Sequence, residues 1–199
     1  QKNETTQAEA QKKEPVYVKT LEDFLNFAQA CNDADYSVGR EVFLQADLDL
    51  GELPEGTEFH GITSFSGTFR GYYHAISGLD LTEDGEAVGL FRYVEQGALI
   101  RDLTVKGTIE CSESRIAAGG IAGINAGTIR ECIFRGVVSS LGETGGIVGI
   151  NGTGGSVVQS KYFGSVNGIH KVGGIAGVNH GVISDCTNSA SVNAGTKWL

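Results

Sequence analysis

The sequence has no methionine, two prolines, one tryptophan and only 15 lysines and arginines. Each shortage removes a class of protein. No apolar run reaches the roughly 18 residues that a bilayer-spanning helix requires. With 24 acidic residues and a formal charge of −9, the chain lacks the basic surface to which nucleic acid or an anionic membrane is drawn. Nucleophile elbow, P-loop, dinucleotide fingerprint and His-Glu-x-x-His are all missing, so no motif points to catalysis. Methionine is missing even at position 1, which predicts a processed product or a cut piece of a longer chain, with any signal segment already gone.

Glycine is abundant instead, with 30 in 199 residues, and it recurs in one setting. Gly119-Gly-Ile-Ala-Gly-Ile-Asn125 returns as Gly145-Gly-Ile-Val-Gly-Ile-Asn151 and again as Gly173-Gly-Ile-Ala-Gly-Val-Asn179. The step is 26 residues from Gly120 to Gly146 and 28 from Gly146 to Gly174. A worn copy lies 31 residues before Gly120, at Gly89, with Leu90 where the others carry isoleucine. Periods of this size mean a solenoid, propeller or array. The runs between glycines are short and β-branched, so each copy reads as two or three strands. A propeller blade needs about 40 residues or more, so the step favours a coil of a parallel, right-handed β-helix.

These residues resemble the GLUG repeat of bacterial surface proteins, in Gly119 to Asn125 and in Gly127-Thr-Ile-Arg-Glu-Cys132. Gly67-Thr-Phe-Arg-Gly-Tyr-Tyr-His74 is similar to the family's opening coil, which runs Gly-Thr-Phe-Asp-Gly-Asn-Gly-His; Arg70, Tyr72 and Tyr73 depart from it. The resemblance, over about residues 40–195, implies a β-helix in a secreted or cell-surface bacterial protein. Such repeats occur in adhesin-like proteins and in amino-terminal regions of immunoglobulin A-specific metallopeptidases.

Along the chain, residues 1–15 lack apolar periodicity and read as a disordered tether. Residues 16–50 read as an N-terminal cap and 51–199 as the repeats. Val16 to Lys19 suits a short strand. Thr20 is an N-cap with Asp23 three residues on, opening a helix whose apolar face is Leu21, Phe24, Leu25, Phe27 and Ala28 and which ends near Asn32. A helix there would cover the raw end of the solenoid. Val42 to Leu50 alternates as one half-buried strand.

Aligned copies give columns. Leu103/Cys132/Ser160/Cys186, Val105/Phe134/Tyr162/Asn188 and Ile109/Val138/Val166/Val192 point inward, with Gly107, Gly136, Gly164 and Ala190 leaving room for a bend. Asp102/Glu131/Gln159/Asp185 and Lys106/Arg135/Phe163/Ser189 point outward. Cys132 and Cys186, two coils apart at about 10 Å, are too distant for a disulfide, and all four cysteines are expected free. The segment from Gly119 to Ile124 is apolar at both alternations. Either Gly123 turns Ile124 back inside, or Ala122 and Ile124 form an apolar outer stripe covered by the cap helix or a partner chain.

The outer columns supply the candidate ligand-binding residues. Asp102 and Glu131 stack, with Lys106 and Arg135 further along the same face; some β-helical polysaccharide lyases place acids and bases this way. The plainer account is a solvated face of offsetting charges. Tyr72, Tyr73 and Tyr93 could make a sugar-stacking platform or be half-buried core tyrosines. Asp47, Asp49, Asp80, Glu83, Asp84 and Glu86 suit outward strand and turn positions better than a calcium site. The four histidines fall at unrelated repeat phases, so no zinc site is expected. Asn125, Asn151 and Asn179 share one phase and suit either αL turns or a buried amide ladder. No catalytic residue, metal or cofactor is assigned. The expected function is a non-catalytic extracellular module, adhesin-like or a spacer, with a glycan or a host surface protein as partner. Self-association through the outer stripe or the open solenoid end is a further expectation. The alternatives are a lyase-like carbohydrate-active enzyme and an accessory region of a larger surface protease.

Overall fold

The computed structural model describes residues 13–82, 85–112 and 116–195. The tether expected over 1–15 lies outside the described residues as far as residue 12. Parallel sheets stack into a β-solenoid of about six coils. Each full repeat contributes four strands rather than two or three. In the first glycine-marked coil these are Ala117–Gly119, Ala122–Asn125, Thr128–Arg130 and Ile133–Ser140. They fall in four sheets, each strand pairing in parallel with its equivalents in the coils before and after.

The pairing follows the repeat phase. Leu90, Ile121, Ile147 and Ile175 form one column, tied by backbone bonds from Phe91 N to Ile121 O (2.9 Å), Ile121 N to Ile147 O (2.9 Å) and Ile147 N to Ile175 O (3.0 Å). Val105, Phe134, Tyr162 and Asn188 stand in register, as do Ile109, Val138, Val166 and Val192. The first three of each set are fully buried, whereas Asn188 and Val192 in the last coil are exposed.

The glycine motif owes its composition to close backbone approach. The chain bends at Gly120–Ile121, so that Ala117–Gly119 and Ala122–Asn125 lie in different sheets. A Cβ on Gly119 would stand 2.3 Å from Ala122 O, and one on Gly123 would stand 2.6 Å from Val88 N. Two sheets therefore meet backbone to backbone, and Gly119 and Gly123 stand where a Cβ has no room. This overturns both accounts of the apolar stripe. Ala122 and Val148 are buried by the chain's own sheets, and Ile124 remains half-exposed. Self-association through that stripe loses its basis. Gly120 makes room differently: its missing Cβ would lie 2.2 Å from the Phe134 ring.

Asn125, Asn151 and Asn179 form an amide ladder rather than αL turns. Asn125 Nδ2 donates to Asn151 Oδ1 and Asn151 Nδ2 to Asn179 Oδ1, each at 2.8 Å. Asn151 Nδ2 also reaches Gly155 O (3.3 Å) and Val182 O (3.2 Å). Asn125 and Asn151 have no exposed surface, so every polar atom there needs a protein partner.

The N-terminal end is closed by the helix Leu21–Ala30, with the expected Thr20–Asp23 capping box. Phe24, Phe27 and Ala28 are its buried face, and Phe27 packs 6.0 Å from both Phe65 and Phe69. Val16–Val18 is already a solenoid strand, paired with Glu41–Leu44. The expected single strand from Val42 to Leu50 is two, Glu41–Leu44 and Leu48–Asp49, on either side of a corner. Burial alternates straight through that corner, which is why periodicity did not reveal it.

The ladder carries a stability prediction. Asn151→Ala removes the middle amide and strands its neighbours, which should cost about 2–4 kcal/mol. Equilibrium denaturation of the variant checks this; a loss below about 1 kcal/mol would mean that the ladder is incidental.

Candidate functional site

The candidate residues do not share one face. Asp102, Glu131, Gln159 and Asp185 are corner residues, not outward strand positions, each with φ between 50° and 55°. They link a sheet-1 strand, such as Leu99–Arg101, to a sheet-2 strand, such as Thr104–Glu110. Lys106 and Arg135 lie in sheet 2 beyond that corner, where the Arg135 guanidinium stacks 4.2 Å from the Phe163 ring centroid. The expected grouping of Asp102, Glu131, Lys106 and Arg135 is thus divided.

The cations that do pair with these acids are Arg101 and Arg130. Arg101 Nε donates to Asp102 Oδ2 at 2.7 Å, and its Nη2 lies 3.8 Å from Glu131 Oε2. Arg130 Nε is 3.2 Å from Glu131 Oε1. Arg70 Nη2 makes the same kind of pair with Glu41 Oε1, at 2.9 Å. Arg70, Arg101 and Arg130 are register partners on the outer face of sheet 1. Stacked like charges repel, and the acids one column away offset this. The hydrogen bond to the Asp102 carboxylate, with its charge, raises the Arg101 pKa. Asp102 is only 7 % exposed. The signal for this ladder is present in the sequence, three arginines each immediately before the corner residue, Gly71, Asp102 or Glu131, but the corner itself is not visible there.

Continuing the same column toward the N-terminus replaces arginine with aromatics. Tyr17 pairs with Phe43, and Phe43 with Arg70. The Tyr17 and Phe43 rings are 5.3 Å apart at 19°, and Phe43 and Tyr72 are 6.1 Å apart at 22°. Tyr17 and Tyr72 are about half exposed, at 52 % and 54 %. Tyr17, Phe43, Gln45, Tyr72 and His74 line a shallow open groove. Sequence reasoning named Tyr72 and missed Tyr17 and Phe43, because their contact joins coils outside the glycine-marked repeats.

Tyr73 points to the other side of its turn, into a groove shared with Asp102, Glu131, Gln159 and Lys161. Tyr93 belongs to a third face: it lies in the strand Phe91–Val94, and its hydroxyl is 3.3 Å from Glu86 Oε2. Partial burial, and then the Glu86 charge, raise its pKa. The three expected platform tyrosines are therefore separate.

The early acids serve as turn and strand ligands. Asp47 Oδ1 accepts from Ala75 N at 2.9 Å and meets His74 Nδ1 at 3.1 Å. The Ala75 amide, and then His74, lower the Asp47 pKa. Asp49 Oδ1 accepts from Gly51 N. Glu83 and Asp84 lie outside the described residues. Among the described residues no three His, Cys, Asp or Glu side chains converge on a metal position, and no helix is long and apolar enough to cross a membrane.

None of the four cysteines is in a disulfide, and Cys31, Cys111 and Cys132 are buried. Burial pushes the Cys31 and Cys132 thiols up to about 12 and raises that of Cys186. A thiol held neutral is a poor nucleophile.

Two predictions follow from these groups. At pH 8 the native protein should leave Cys31 and Cys132 unmodified by a thiol reagent, whereas the denatured, unreduced protein should titrate four thiols; three or fewer would reveal a bridge. Asp47 has a folded pKa below its unfolded value of about 3.9, so its stabilisation is complete above that pH and fades as pH falls through the folded pKa. Melting temperatures measured from pH 6 to pH 2 should fall less steeply for Asp47→Asn than for wild type; parallel curves would disprove the assignment.

Compared with known proteins, the chain matches no family model, no curated protein and no solved structure.

Proposed function

We propose that this chain is a non-catalytic, surface-displayed binding module, an adhesin-like or spacer solenoid that presents its flank to a glycan or a host surface protein. The observation that carries this reading is how the charged groups converge. Arg101, Arg130, Asp102 and Glu131 meet as ion pairs that neutralise one another. An acid–base site needs a proton donor and acceptor held apart and poised near the working pH. The buried thiols are pushed away from reactivity. The resemblance to GLUG-repeat proteins supports display outside the cell, and the stacked sheets suit a stiff spacer.

A polysaccharide lyase-like enzyme is the second reading. What favours it is the groove where Tyr73, the nearly buried Asp102, Glu131 and Lys161 come together.

Incubation with a panel of neutral and acidic polysaccharides separates the two. The expected result is no new reducing ends and no unsaturated uronate absorbance above a heat-inactivated control. Product release that disappears in Asp102→Asn, with the fold intact, would overturn the non-catalytic reading.

A further inference from the structure

The corner carrying Tyr72 and Tyr73 breaks the repeat. In later coils two residues separate the paired strands: Asp102 and Leu103 stand between Arg101 and Thr104, and Glu131 and Cys132 between Arg130 and Ile133. In the coil before, four residues stand between Arg70 and Ala75. Backbone bonds align Gly71 with Asp102, since Gly71 N donates to Arg101 O and Asp102 N to Arg130 O. They align His74 with Leu103 in the same way. The extra pair is Tyr72-Tyr73, looped out of the solenoid wall.

Closing the loop is a four-residue turn in which His74 N donates to Gly71 O at 2.9 Å. Both central residues have positive φ, 49° at Tyr72 and 64° at Tyr73. This is a type I′ turn, which calls for Asn-Gly or Gly-Gly. It holds two tyrosines instead, and they are not there to fill the core, being 54 % and 75 % exposed. A strained backbone carrying large exposed side chains is what a binding site shows when the fold itself gains nothing from them.

We propose, resting on the binding-module reading, that Tyr17, Phe43 and Tyr72 form the stacking surface of a site for an uncharged pyranose oligosaccharide lying along the solenoid flank. The ring planes differ by only 19° and 22° at centroid distances of 5.3 and 6.1 Å, so the three rings stack in an overlapping, stepped file along the flank, with Tyr17 and Tyr72 about half exposed. A cationic ligand would want rings turned around it as a cage; a sugar presents a flat C–H face to the ring surface that such a file leaves open. Polar groups converge beside the rings, as a ligand groove requires. Gln45 lines the groove. His74 Nδ1 is held by Asp47, which leaves Nε2 for a sugar hydroxyl. Next along the column stand the Arg70–Glu41 and Arg101–Asp102 pairs, which offer donors and acceptors together. Charge complementarity selects a neutral ligand: Arg70 and Arg101, next along the column, already have carboxylate partners, and the chain's formal charge of −9 opposes an anionic glycan.

The test uses an array of neutral gluco-, xylo-, galacto- and manno-oligosaccharides, with uronic-acid and sulfated oligosaccharides as a separate arm. Calorimetry then follows the best neutral binder. The double variant Tyr72→Asn/Tyr73→Gly gives the turn the residues it prefers, so its Tm should rise by about 2–4 °C while affinity falls at least about tenfold. Tyr17→Ala, on an edge strand, should weaken binding several-fold with the fold unchanged. Any of three results overturns the site: no binding of neutral sugars by wild type, binding of the anionic arm alone, or affinity unchanged in both variants. Loss of binding together with a lower Tm in the double variant also overturns it, since the tyrosines would then be holding the fold. The polysaccharide degradation assay alone decides the non-catalytic reading, so the two claims fail separately.

Discussion

Parallel pairing at one strand spacing per coil, about 4.8 Å, is the constraint on which everything else in this protein depends. Because it recurs at every coil, a residue's neighbours above and below are its own repeat equivalents. Each column must therefore be compatible with itself. Asparagine satisfies that condition inside the wall, since an amide both donates and accepts, and Asn125, Asn151 and Asn179 form a directed chain of hydrogen bonds. Glycine satisfies it where backbones touch: a Cβ on Gly136 would stand 1.8 Å from Gly107 O, and one on Gly164 would stand 1.9 Å from Gly136 O. Arginine does not satisfy it alone. The column Arg70, Arg101 and Arg130 persists beside Glu41, Asp102 and Glu131, each acid near enough to offset the repulsion.

The same constraint makes the two ends unlike the middle. Strand hydrogen bonds run mainly between coils, so a terminal coil has one unpaired side. At the N-terminal end the helix supplies the missing contacts, and phenylalanines at 24, 27, 65, 69 and 91 form one aromatic cluster beneath it. At the other end the inward columns turn polar and lose their cover. Val166 is fully buried, yet Val192 beside it is 44 % exposed.

A wall so regular leaves few places for a specific surface. Several of the charges on its exterior pair with acids in the same or an adjacent coil, as Arg70, Arg101, Arg130 and Lys171 do. The departures are therefore informative. Two of them lie on this flank: the corner inserted at Tyr72-Tyr73, and the run of aromatics where Tyr17 and Phe43 take the register positions that arginine holds later. The two departures meet at the 6.1 Å contact between Phe43 and Tyr72, and it is their coincidence, more than either alone, that distinguishes this flank from the rest of the wall.

The repeat period by itself determined the fold class, the residues that share a column and the interior set. The physical reason is that in a parallel solenoid the sequence period and the stacking register are the same quantity. Local chemistry added the Thr20–Asp23 capping box and the Phe24–Phe27 face of the helix. Only the tertiary structure decided where each coil turns. Alternating burial runs unbroken through the corner between Leu44 and Leu48, and the αL residues at 102, 131, 159 and 185 are acids and amides that a strand's outer face would also accept. Without the corners, residues on different sheets looked like one face. That is why the sequence alone groups Asp102 and Glu131 with Lys106 and Arg135, and Tyr93 with Tyr72, and does not bring Tyr17 and Phe43 together. A period states which residues lie above one another; which columns lie side by side depends on backbone geometry that the period does not contain.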